Sequence, residues 1–432
     1  MFHPKKLIIY IILLLISNPA LAQSGGKNSL TEAERLYGLS KVWSEAKYNF
    51  VFMDKVKVNW DSLYQATIPA VLQAQEIKSY YDVLRGFISH LQDGHTSVWY
   101  PSSFYKTEFV YAPLRTDIIQ GKVFITKLLN DTLQQQGIQS GFEILKVNGV
   151  DVHEHARKNI QPYEGASTPQ GLNFLMYNAY LLAGNANEPL QLTLRDKKGK
   201  ISDYSISRRL SLKESNPIQF SVLPDNIGLL IINGFSAPDF NERFDQLYPE
   251  LLRTKALIID LRANRGGNGA QGVYMMKHFV TAPFPDPIIS SLQYNPLLKV
   301  WGMGEMNFFT MASGTNKPLT DRTIYDKPIV VLISKETGSA AEDFTMPFDY
   351  VKRGVVIGQP SGGSTGQPMF SSLPGGGTLR ICVRKDTYPN GKEFVGVGIQ
   401  PDILVPENAE AYRNNEDLVL KKAQEVLRKK IH

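Results

Sequence analysis

The 432-residue chain holds a single cysteine, Cys382, so no internal disulfide can form and the fold must rest on its own core. With 43% apolar residues at this length, two or three such cores can be built. After the first two dozen residues no segment is continuously apolar over the roughly 20 residues that a helical bilayer span needs. Neither sign of charge dominates. The 47 Lys and Arg against 41 Asp and Glu leave +6, too mild and too dispersed for a nucleic-acid-binding surface. No internal repeat occurs, and the only biased tracts are glycine clusters at 362–366 and 375–377.

The first residues follow a different rule. Lys5-Lys6, an apolar run from Leu7 to Ile16 and the small-residue pattern Ala20-Leu21-Ala22 read as a secretory signal over 1–22, cut after Ala22. The run is shorter than the roughly 20 residues a bilayer span needs. No cysteine follows the cut, which argues against a lipid anchor, and an uncleaved N-terminal membrane anchor is the alternative. The mature protein is therefore expected to be exported, periplasmic or secreted, without a transmembrane segment. Loss of Lys5 and Lys6 would leave it at +4.

Three regions follow. Over 28–98, Thr31 and Glu34 form a capping-box pattern, and Leu36, Leu39, Val42, Trp43 and Ala46 recur at helical spacing. Further helical stretches at Ser62–Gln73 and Ile77–Leu91 predict a three-helix cap. Over 104–212 the pattern changes to short alternating strands such as Lys122–Thr126 and Leu190–Leu194, divided by turns such as Asn148-Gly149, with a helical insertion at 156–183. From 213 to 432, strands at Ile227–Ile232, Ala256–Leu261, Ile329–Ile333, Val355–Ile357 and Leu379–Val383 alternate with helices, which predicts a layered α/β core. Residues 281–327 read as a loop-rich excursion near the site.

Chemistry concentrates at three turns. The tract Lys335-Glu336-Thr337-Gly338-Ser339-Ala340-Ala341-Glu342 reads as strand, tight turn, serine and helix, which puts the Ser339 hydroxyl beside the unpaired N–H groups of a helix start. Taken alone, the serine would be an ordinary helix cap. Asp93-Gly94-His95-Thr96 adds an imidazole in a turn, and Asp260-Leu261-Arg262-Ala263-Asn264-Arg265-Gly266-Gly267 ends a strand in a double glycine. A serine hydroxyl needs a base within hydrogen-bond reach and donors for the oxyanion, and these segments can supply both.

In this order the three segments resemble the serine peptidases of the C-terminal processing protease and tricorn core group. The resemblance implies a crotonase-like α/β core with a helical cap and a PDZ-like domain, hydrolysing unstructured polypeptides or C-terminal tails without metal or organic cofactor. The PDZ-like part is matched by Gly141-Phe142-Glu143-Ile144-Leu145-Lys146-Val147-Asn148-Gly149, with Phe142-Glu143 where Gly-Asp is common. Gly141, Phe142 and Ile144 are accordingly expected to bind the substrate chain. In the processing-protease branch a lysine about two dozen residues after the serine is the base. Here that stretch is Gly362-Gly363-Ser364-Thr365-Gly366, without lysine, so the base expected from the tricorn-like branch is His95. Substitution of Ser364 is expected to be tolerated.

The oxyanion donors expected are the N–H groups of Ala340 and of Gly266 or Gly267, with Asp260, Arg262 and Asn264 as scaffold. Gly94 stands where the tricorn core carries an extra serine, with Thr96 a possible substitute. The orienting glutamate of that core falls at Val395, a departure from the pattern, and Glu393, two residues earlier, is the candidate in its place. Glu342 reads as an acid that complements the helix dipole. His153 and His155, expected on one face of a strand, lack a third ligand for a metal. Interphotoreceptor retinoid-binding proteins share the core fold, so a non-proteolytic binding protein for peptide or apolar ligands is the alternative. Oligomeric state is not expressed in these patterns.

Overall fold

The computed structural model describes residues 29–213 and 216–431. The expected signal segment lies outside the described residues.

At the centre is a six-stranded sheet in the order Ile403–Leu404, Val355–Gly358, Ile329–Ile333, Ala256–Asp260, Ile227–Ile232 and Ile218–Leu223. All its pairings are parallel except the last. The inner strands Ile227–Ile232, Ala256–Asp260 and Ile329–Ile333 are apolar at nearly every position because both faces are covered. Ile258, Val330 and Leu332 pack against Ala423 and Leu427 of the C-terminal helix Leu418–Ile431. Their neighbours Leu257, Ile259, Val331 and Ile333 face the opposite way, into a core shared with the helices Phe240–Leu251, Gly269–Met276 and Ala340–Tyr350. The two-residue period of a strand thus divides one apolar run between two layers.

The cap consists of the helices Glu32–Asn49, Trp60–Gln73 and Ile77–Ser89. Its first helix opens on the expected capping box, with Glu34 N donating to Thr31 Oγ1 at 3.2 Å and Thr31 N to Glu34 Oε2 at 2.8 Å. Leu39, Val42, Tyr80, Leu84 and Phe87 join the same apolar cluster as the sheet, so the cap is fused to the core. The chain leaving it forms strand Ser97–Trp99, antiparallel to Thr378–Cys382.

Residues 114–206 form a separate antiparallel sheet with its own core around Ile125, Ile144 and Leu192. Three expectations for the chain change here. His153-Glu154-His155 lies in the helix Val152–Asn159, capped by Asp151, because the Asp151 carboxylate meets the N–H groups of His153 and Glu154. Spaced by two on a helix, the imidazoles diverge. His153 Nδ1 meets Tyr177 and His155 Nδ1 meets Asn159. Second, the strand Glu143–Val147 is internal to its sheet, flanked by Lys122–Leu128 and Leu190–Arg195, and cannot add a substrate strand. Gly141 N and Phe142 O are paired with Ile125, the Phe142 and Ile144 side chains are buried, and Arg413 covers Gly141. Third, within 281–327 the strands Ile288–Tyr294 and Met306–Met311 make an exposed hairpin, and none of that region lines the cleft described below.

Candidate active site

Three adjacent parallel strands end on the same side of the core sheet, and the turn after each contributes to one cleft. Gly266 and Gly267 follow Ala256–Asp260, Ser339 follows Ile329–Ile333, and Ser364 follows Val355–Gly358. Carboxyl ends of parallel strands are where α/β sheets leave space for ligands, because the connections diverge there. Cross-bonds hold the turns in register. Thr337 Oγ1 donates to Leu261 O at 2.9 Å, Ser334 Oγ to Arg262 O at 2.6 Å, and Gly338 N to Asn264 O at 3.1 Å. Arg262 is locked to Asp260 and to Asp417, so the Asp260, Arg262 and Asn264 cluster is structural, as expected.

Ser339 sits at φ 54°, ψ −129°, a conformation in which a residue with a side chain is strained by roughly 1–3 kcal/mol. The surroundings over-determine it. Its N–H donates to Ser364 O at 2.9 Å, and Gly266 packs so close that a Cβ there would lie 2.6 Å from Ser339 Cβ. The turn aims Oγ out of the helix end and toward His95, whose Nε2 lies 3.1 Å away.

His95 is positioned from the cap. Asp93 Oδ2 accepts from His95 N at 3.1 Å and from Thr96 Oγ1 at 2.7 Å, and Thr96 Oγ1 in turn accepts from Cys382 N at 3.0 Å. Thr96 is therefore committed to the scaffold and is not the orienting hydroxyl. That place is held by Ser364, whose Oγ is 2.8 Å from His95 Nδ1. A Cβ on Gly94 would fall 2.6 Å from the same oxygen, so the space a serine at 94 would occupy is filled from the opposite side of the cleft. Burial, with the charges of Arg380 and Arg384, pushes the imidazole down to about 3, which keeps it neutral.

Glu393 does not reach His95. Its carboxylate is bound by Lys55 at 3.2 Å and by Lys385, on a half-exposed surface, because its strand partner Thr387 directs it away from the cleft. Glu342, read from sequence as an acid that complements the helix dipole, is fully buried. It accepts from Ser361 Oγ, from Gly363 N at 2.8 Å, from Ser364 N at 3.0 Å and from Ser339 N at 3.3 Å. One carboxylate thus ties the nucleophile turn to the Ser364 turn. Burial raises it to about 7, with the donors pulling in the opposite direction.

Of the two candidate glycines, Gly266 donates its N–H to Asn264 Oδ1 at 2.8 Å and is occupied. Gly267 N and Ala340 N have no acceptor among the described residues and remain open to an oxyanion. Gly267 must be glycine. At φ +133°, a Cβ would collide with Phe235 O at 2.2 Å.

The cleft around these groups has a volume of about 580 Å³ and is closed on one side by the helical insertion, through Tyr163, Ser167, Phe174 and Tyr180. This insertion also clasps the Ser364 turn. Thr168 Oγ1 donates to Gly362 O at 2.7 Å and Gln170 Nε2 to Ser361 O at 3.1 Å. Neither contact was signalled in the sequence, which shows a serine-, threonine- and glutamine-bearing loop without its partner.

Residues 226–405, which include the double glycine, Ser339 and Ser364, match the family described as Peptidase family S41. His95 lies before the matched stretch, whereas Ser339 and Ser364 lie within it. A carboxyl-terminal-processing protease of Picosynechococcus sp. is 24% identical over 67% of this chain and 61% of its own. The carboxy-terminal processing protease CtpB of Bacillus subtilis is 25% identical over 57% of this chain and 51% of its own. The aligned part thus spans about half to three fifths of the curated relatives it matches. The chain also shares its fold with mature CPAF, at TM-score 0.70 and 16% identity, covering 92% of this chain and 96% of that one. The photosystem II D1 C-terminal processing protease gives TM-score 0.53 at 17% identity, covering 89% and 97%.

Proposed function

We propose that the chain is an exported serine peptidase that cleaves polypeptides through an acyl-enzyme on Ser339. The observation that carries this reading is the His95 ring held between two hydroxyls, Ser339 Oγ on Nε2 and Ser364 Oγ on Nδ1. A neutral imidazole bonded this way carries its proton on Nδ1, donates it to Ser364 Oγ, and leaves Nε2 free to take the Ser339 proton. Attack of Ser339 Oγ on a substrate carbonyl then moves that proton to Nε2. The carbonyl oxygen becomes an oxyanion facing Gly267 N and Ala340 N. Collapse expels the amine, which takes the proton from Nε2, and water repeats the sequence to release the acyl group.

Ser364 replaces the charged third member of the usual triad by a neutral one. It fixes the tautomer but does not neutralise the imidazolium, so the centre is expected to be slower than one with a carboxylate there. Substrates are taken to be unstructured chains, since the cleft is a groove between domains that an extended segment can enter. Export rests on the Lys5-Lys6 to Ala22 pattern.

A fluorophosphonate probe tests the chemistry, because it labels only an activated hydroxyl. The full-length protein should be labelled and should hydrolyse an unfolded protein such as casein. Ser339→Ala should lose both while keeping its fold. Undiminished labelling of Ser339→Ala would place the nucleophile elsewhere.

A further inference from the structure

The pairing of His95 with Ser364 joins two turns from distant parts of the chain, one leaving the cap and one at the end of the strand Val355–Gly358. Residues 162–170 of the helical insertion touch both. At one end this segment is tied to the cap, where Glu164, only 10% exposed, pairs with Arg85, and Ser89 Oγ donates to Pro162 O at 3.1 Å. Gly165 packs so closely there that a Cβ on it would meet Ser89 O at 3.0 Å. At the other end Thr168 and Gln170 grip Gly362 O and Ser361 O. Ser167 stands between them, at the His95 turn.

Ser167 Oγ donates to Asp93 Oδ1 at 3.0 Å and accepts from Gly94 N at 3.2 Å. Asp93 is buried. Its Oδ2 is taken by His95 N and Thr96 Oγ1, whereas Oδ1 meets no donor other than Ser167 among the described residues. Burial raises the Asp93 carboxyl above its ordinary range, and the Thr96 and Ser167 hydroxyls pull it back. One buried carboxylate oxygen thus depends on a single hydroxyl, and leaving it bare carries the full cost of its desolvation. Without Ser167 the His95 turn keeps Arg380 on Gly94 O and Cys382 N on Thr96, so it stays in place but loses the contacts that tighten it from the insertion side. Thr168 acts on the partner turn. A Cβ on Gly363 would fall 2.6 Å from Thr168 Cγ2, so the residue before Ser364 is pressed against the same loop that holds Asp93. Two consecutive residues, one on each turn, thereby set the 2.8 Å between His95 Nδ1 and Ser364 Oγ.

We infer that Ser167 and Thr168 are positioning residues that hold the base and its orienting hydroxyl in register. Ser167 sets the His95 turn through Asp93 and Gly94, and Thr168 sets the Ser364 turn through Gly362, so the insertion acts on the rate through the ring. This rests on the peptidase reading for its effect on rate, but not for its effect on the ring.

The test uses the full-length protein, a quenched fluorescent peptide and a fluorophosphonate probe, with each variant shown by circular dichroism to be folded at the assay temperature. Ser167→Ala should lower kcat and the rate of probe labelling by about tenfold each, as expected for loss of a hydrogen bond to a charged group, and leave KM within about twofold. The probe is too small to use the length of the cleft, so parallel losses place the defect in the Ser339 and His95 pair. Thr168→Val should show the same split. Thr168→Ser, which keeps the hydroxyl that bonds Gly362 O and caps the helix Pro169–Phe174, should recover most of the rate. Should Ser167→Ala fail to fold, the two Thr168 variants decide alone. The ring is also read without catalysis, by diethyl pyrocarbonate modification of His95 located by mass spectrometry. The buried wild-type ring should resist, and in Ser167→Ala it should react severalfold faster. A wild type that neither hydrolyses peptides nor takes the probe would sink the peptidase reading, and the modification rates would still decide the role of the loop. Wild-type kcat and labelling in both Ser167→Ala and Thr168→Val, a loss confined to KM, or unchanged His95 reactivity in Ser167→Ala would overturn the inference.

Discussion

Ser364→Ala separates the geometry from the sequence pattern. The hydroxyl removed lies 2.8 Å from His95 Nδ1, and the ring is buried, with only 5% of its surface exposed. Deleting the acceptor leaves a buried N–H unsatisfied, which costs about 1–3 kcal/mol, and frees the ring to turn or to change tautomer. At about 1.4 kcal/mol per factor of ten, turnover should fall roughly ten- to a hundredfold. KM should change little, because orientation of the base acts in the transition state. A carboxylate in that place would be worth more, since it also neutralises the imidazolium. Glu393→Gln is the control. Its carboxylate meets Lys55 and Lys385 on the surface, so its replacement should leave kcat within about twofold. Both kinetic constants would be measured on a quenched fluorescent peptide, with folding checked by circular dichroism. A Ser364→Ala enzyme as fast as wild type, beside a Glu393→Gln enzyme slowed a hundredfold, would refute the assignment and return the orienting role to the acid.

Gly94→Ala should expel the Ser364 hydroxyl, since its Cβ would lie 2.6 Å from Oγ, and so cost about as much activity as Ser364→Ala. Gly94→Ser combined with Ser364→Ala returns a hydroxyl to that space and should recover part of the loss, whereas simple additivity would deny that the two positions share one site. The rate of kcat/KM with pH should rise through about 7, set by ionisation of Glu342, because His95 is pushed down to about 3 and stays neutral throughout. Glu342→Gln should lower the rate and abolish that limb, and a limb unchanged in the variant would assign it to another group. The same group has a stability signature. Its folded value is raised above the ordinary 4.5, so its contribution is present below 4.5 and lost as pH rises through about 7, a slope that chemical denaturation should find missing in Glu342→Gln.

Local patterns of residues determined much of this protein. The capping box at Thr31 and Glu34, the apolar strands at 227–232, 256–260 and 329–333, and the serine entering a helix at Ser339 are short-range features, and each lies where its period and turn chemistry put it. Even the pairing of His95 with Ser339, 244 residues apart, was expected through resemblance. What tertiary structure alone decided is which polar group faces which. In sequence Glu393 was the candidate neighbour of the imidazole and Ser364 was expected to be dispensable, but the pairing of Glu393 with Thr387 carries its carboxylate to Lys55 and Lys385, while the end of strand Val355–Gly358 brings Ser364 under the ring. Glu342 was legible only as an acid at a helix start, because helix position says nothing about what packs there, and the Ser361 to Ser364 turn buries it and supplies its donors. Gly141, Phe142 and Ile144 looked like a peptide-binding edge because a strand's sequence does not state whether it lies at the edge or inside its sheet. Propensity and period are properties of a few consecutive residues. Hydrogen-bond partners across strand ends and domain junctions are set by packing of the whole chain, and the chemistry of this site depends on those.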